Sequence, residues 1–165
     1  MTAPVFDAEQ AFQVAESFLE AGVVLARQPH AVSELFRPMA LTYAFATEAY
    51  LKGLMFLVTG SRSFQRHQLL KLFKELPRQE RDAVEVQFQR YTRHSPVDQR
   101  HRSRFPEEAH SLRGQLRFAA QTFTAARYVS DGNRDHLAST GHLAPAACKL
   151  SAPSKIIRAL ASSLP

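Results

Sequence analysis

Two ionisable side chains stand alone in the most apolar stretch of this sequence. Between Leu41 and Leu54, in Leu41-Thr42-Tyr43-Ala44-Phe45-Ala46-Thr47-Glu48-Ala49-Tyr50-Leu51-Lys52-Gly53-Leu54, only Glu48 and Lys52 carry charge. They are spaced i,i+4 in the order that favours pairing on a helix. A carboxylate and an ammonium among apolar neighbours are costly to desolvate and persist only with further hydrogen bonds. Two readings are open. In the first, His67, Arg127 or Tyr128 supply those bonds and the cluster fixes helix register. In the second, Glu48, Lys52, His67, Arg127 and Tyr128 line a pocket. The first is preferred, because satisfied polar networks rigidify and specify a packed core. Both require the five residues to converge.

A second kind of chemistry is suggested by arginine placed a few residues before histidine. Two segments have this spacing, Arg62-Ser63-Phe64-Gln65-Arg66-His67 and Arg104-Phe105-Pro106-Glu107-Glu108-Ala109-His110. In the second, His110 would act as an acid/base or orient a 2′-hydroxyl for attack, and Arg104 would stabilise the charge on a pentavalent phosphate. Upstream lies the densest positive stretch, Arg90, Arg93, His94, Arg100, His101, Arg102 and Arg104, with Asp98 the only acid between Arg90 and Arg104. Guanidinium forks pair well with phosphate, so Arg90, Arg93, Arg100, Arg102 and Arg104 are candidate RNA-phosphate contacts. Tyr91 and Phe105 flank them and could stack on unpaired bases. The alternative is a solvated loop with no ligand.

Other chemistries find no support. His94, His101 and His110 have no cysteine or carboxylate spacing that would make a metal site, so no metal is expected. Cys148 is the single cysteine, and no glycine-framed elbow presents a serine nucleophile. With six Gly scattered along the chain and no phosphate-cradling loop, no nucleotide or other cofactor is expected.

The elements that must position these groups read as helices. Asp7 with Gln10 resembles a capping box. Behind it, Phe12, Ala15, Leu19, Gly22, Val23 and Ala26 recur at helical spacing, predicting an amphipathic helix over 8–27. A second helix is predicted from about Ser33 to Thr59. It is apolar nearly all round, as a buried helix must be, with Pro38 near its start and Gly60 at the C-terminal capping position. After a polar loop, a helix opening at His67 places Leu69, Leu72, Phe73 and Leu76 on one face and stops at Pro77. A fourth, over 79–93, aligns Val84, Phe88 and Tyr91. Ser95 to Phe105 reads as an exposed loop. Pro106-Glu107-Glu108 then starts a helix that carries Leu112, Leu116, Ala119, Phe123 and Ala126 to about Val129.

The expectation is an all-α, up-and-down bundle of about four or five helices over 1–132. Residues 133–165, free of acids after Asp135, read as a weakly ordered basic tail with a short helix around Ile156, Ile157 and Leu160. A chain of 165 residues has one-domain length and should bury roughly 70% of its unfolded surface. No apolar run is long enough to span a membrane. The first residues lack a basic-then-apolar signal pattern, and the lone cysteine forms no internal disulfide, so a cytoplasmic protein with no membrane association is expected. The 21 Lys+Arg exceed the 15 Asp+Glu, giving a net charge of +6. That modest excess favours polyanionic or acidic partners and says nothing about fold.

In this order, Glu48 to Leu54 on the second helix, then His67-Gln68-Leu69-Leu70-Lys71-Leu72-Phe73-Lys74-Glu75-Leu76-Pro77, and a late helix ending Ala126-Arg127-Tyr128, the chain resembles the HEPN superfamily, the helical domains named for higher eukaryotes and prokaryotes nucleotide-binding. The resemblance covers about residues 8–130. It implies an up-and-down bundle, often homodimeric, in proteins of defence, toxin–antitoxin or stress systems. Some members cut RNA with an Arg-to-His motif from each of two protomers, and others keep only a binding or scaffold role. The family motif has a polar residue after its arginine, where this chain has Phe105 and then Pro106. The expectation is therefore an RNA-binding or protein-interaction module without an intact nuclease motif. The alternatives are a metal-independent endoribonuclease using Arg104 and His110, and a purely structural interaction module.

Overall fold

The computed structural model describes residues 7–29, 34–60, 68–93 and 111–128, with side chains left aside for Tyr91 and 122–128. The described residues form five helices and no strand: α1 (Ala8–Ala26), α2 (Phe36–Thr59), α3 (Leu69–Glu75), α4 (Arg78–Arg93) and α5 (Leu112–Tyr128). The all-α expectation holds.

Each helix begins and ends for a local reason. Asp7 is extended, at φ −116° and ψ 175°, and accepts the Gln10 N–H at 2.8 Å, satisfying a donor that the first turn of α1 leaves without a helical partner. Pro38 falls in the first turn of α2, where its missing N–H costs nothing. Gly60 closes α2 at φ 64°, a left-handed conformation suited to glycine, and its N–H donates to Phe56 O at 2.9 Å. Leu76 is extended at ψ 144°, as a residue before proline must be, and this ends α3. The Arg81 N–H donates to Pro77 O at 3.1 Å and opens α4.

Three of the predicted starts shift, the first being that of α2, which begins at Phe36 rather than about Ser33. Gln68 is extended, so α3 begins at Leu69 rather than at His67. Ser111 accepts the Gly114 N–H on Oγ at 3.0 Å, and its own carbonyl accepts from Gln115 at 3.0 Å. It therefore caps α5, which starts at Leu112, while the Pro106-Glu107-Glu108 start lies outside the described residues.

Helix α2 is the centre of the package. It packs against α1, α3 and α5, and α3 also meets α5. Along it Met39, Ala40, Tyr43, Ala44, Ala46, Tyr50, Leu51, Leu54 and Met55 are buried. Leu69, Leu72, Phe73 and Leu76 from the α3 segment, Val84 and Phe88 from α4, and Leu112, Leu116 and Ala119 from α5 complete the core. Each fully buried Leu or Phe of this set contributes roughly 1.5–3 kcal/mol.

The buried face that α1 turns to α2 differs from the apolar face predicted for it. Its buried stripe is Ala8, Ala11, Ala15, Leu19 and Gly22, while Phe12 and Val23 are half-buried beside it and Ala26 is exposed. Small residues along the seam let the two backbones approach, and large rings fill the gaps. A Cβ at Gly22 would stand 2.5 Å from Tyr43 Cε1, and one at Gly53 would stand 2.6 Å from Phe12 Cε1. Because 12 meets 53 and 22 meets 43, the helices run antiparallel and interlock reciprocally.

Candidate functional site

Glu48 and Lys52 form the ion pair their spacing predicts. Lys52 Nζ donates to Glu48 Oε1 at 2.6 Å, and the side chains keep only 13% and 8% exposure for Lys52 and Glu48. The second carboxylate oxygen of Glu48, Oε2, is buried as well. Glu48 is buried and Lys52 half-buried, so the pair sits at the edge of the packed interior. The same helix buries Thr47, whose hydroxyl donates to Tyr43 O at 2.8 Å. Such back-bonding satisfies a buried hydroxyl without a distant partner.

A second polar contact, which sequence reasoning missed, crosses α1 and α2. The Tyr50 hydroxyl donates to Glu16 Oε1 at 2.5 Å, with the ring itself 1% exposed and the Phe12 ring centroid 6.1 Å away. Tyr50 falls within the apolar run of α2, and no local sequence signal singles out Glu16. The signal that would have found them is the run of a buried tyrosine opposite a carboxylate, which only the antiparallel register reveals. From α5, Gln115 is buried at 3% exposure, a polar side chain on the helix that packs against α2. On the outer surface, Arg113 Nε pairs with Glu85 Oε1 at 3.0 Å, joining α5 to α4.

Of the predicted polar cluster, the structure brings Glu48 and Lys52 together. Arg127 and Tyr128 lie in the last turn of α5, on a helix that packs against α2, but their side chains fall outside the described residues, as does His67 altogether. Of the candidate phosphate contacts, Arg90 and Arg93 are exposed in the last turn of α4, three residues apart and so on neighbouring positions of one face. Cations there also suit the helix dipole. Arg100, Arg102, Arg104 and His110, the last two being the candidate nuclease pair, lie outside the described residues. Among the described residues no group of three or more His, Cys, Asp or Glu could hold a metal ion. None of the described helices is long and apolar enough to cross a membrane.

One flank of the α1–α2 hairpin is apolar to the surface. Val14, Phe18, Ala21 and Leu25 recur at i, i+4, i+7 and i+11 on α1, exposed or half-buried, with Val14 at 44% exposure. Phe18 stacks on Phe45 of α2 at 5.0 Å, which places this stripe beside Leu41 and Phe45.

Compared with protein-family models, with curated proteins and with solved structures, the chain matches none.

Proposed function

We propose that the chain is a HEPN-like helical module of a cytoplasmic defence or stress system, one that binds RNA without an intact nuclease motif. The observation that carries this reading is the exposure of Arg90 and Arg93 on the last turn of α4. They project directly before the sequence that continues with Arg100, Arg102 and Arg104 and contains a single acid, Asp98. Phosphate contacts made by arginine supply sequence-independent affinity that falls as salt rises. The Glu48–Lys52 pair serves structure in this reading. The two charges sit 2.6 Å apart and almost closed to solvent, which suits a structural contact better than a ligand contact.

A second reading, a protein-interaction module, is favoured by the apolar flank of the α1–α2 hairpin. Val14, Phe18 and Leu25 beside Leu41 and Phe45 suit the apolar face of another helix, whether from a second copy of this chain in a homodimer or from a partner protein of a conflict system. The two roles are compatible, since they use different helices.

Incubating the protein with labelled RNA beside a His110→Ala variant tests the assignment. A binding module leaves RNA intact in both samples while shifting it in a gel. Cleavage by the wild type and not by the variant would replace the proposal with an endoribonuclease acting through Arg104 and His110.

A further inference from the structure

We draw no further inference here: the strongest candidate, the apolar flank of the α1–α2 hairpin formed by Val14, Phe18, Leu25, Leu41 and Phe45, carries nothing beyond the interaction surface already described, because nothing in the structure shows what covers it.

Discussion

The ring of Phe12 occupies the space that a side chain on Gly53 would need, with its Cε1 2.6 Å from where that Cβ would be. Ten residues along each helix the relation is reversed, and Tyr43 fills the gap above Gly22. Close approach of α1 to α2 depends on both glycines. Gly53→Ala should therefore destabilise the protein although alanine is intrinsically the better helix former by about 1 kcal/mol. Overpacking of this kind costs about 1–3 kcal/mol, so the net loss in urea unfolding should be about 1 kcal/mol. Adding Phe12→Leu should recover part of it. A stabilised Gly53→Ala protein would show that the ring moves aside freely.

For the buried ion pair, the sign of a double substitution is informative. Lys52→Met alone leaves the Glu48 carboxylate at 8% exposure without its ammonium and should cost about 3 kcal/mol. Glu48→Leu together with Lys52→Met should restore most of that stability, because two apolar side chains of similar size need no desolvation. If the pair is structural, the double variant also binds RNA as the wild type does. Loss of RNA binding in a folded double variant would reassign the pair to a ligand site.

Tyr50→Phe removes the hydroxyl that reaches Glu16 and keeps the ring. Since the acceptor is a half-buried carboxylate, the expected loss is about 1.5 kcal/mol. A midpoint unchanged within error in denaturant titration would mean that water replaces the hydroxyl without cost.

Much of this architecture was legible because its signals are local. The Asp7 cap, the Gly60 terminus, the stop at Pro77 and the Leu69-Leu72-Phe73-Leu76 face each depend on residues within one or two turns. The near-continuous apolar character of α2 announced a central helix, and the i,i+4 order of Glu48 and Lys52 announced their pair. What escaped depends on pairing between helices. Periodicity marks a face of α1 but cannot say that small residues form its seam while Phe12 and Val23 flank it. The Glu16–Tyr50 bond joins positions 34 apart in sequence, so no local pattern encodes it. The Ser111 cap is hard to read from sequence because Pro106-Glu107-Glu108 offers a stronger start signal five residues earlier. His67, Arg104 and His110 lie outside the described residues, as do the side chains of Arg127 and Tyr128.

The apolar flank gives a prediction about assembly. Val14, at 44% exposure, lies outside the core, so Val14→Lys should leave the unfolding midpoint nearly unchanged. If the flank joins two copies, sedimentation should show a dimer in the wild type that the variant weakens. A wild type that remains a monomer at high concentration would leave only a different protein as the partner of this face.

The most direct test of the proposed role measures affinity for single-stranded RNA across a salt series, for the wild type and for Arg90→Ala with Arg93→Ala. Both arginines are exposed, so the doubly substituted protein should unfold like the wild type. Each lost phosphate contact should make the log–log salt slope shallower by about 0.7, so the two substitutions together should remove about 1.4. A wild type without measurable RNA affinity, or a substituted protein with the same affinity and slope, would contradict the account.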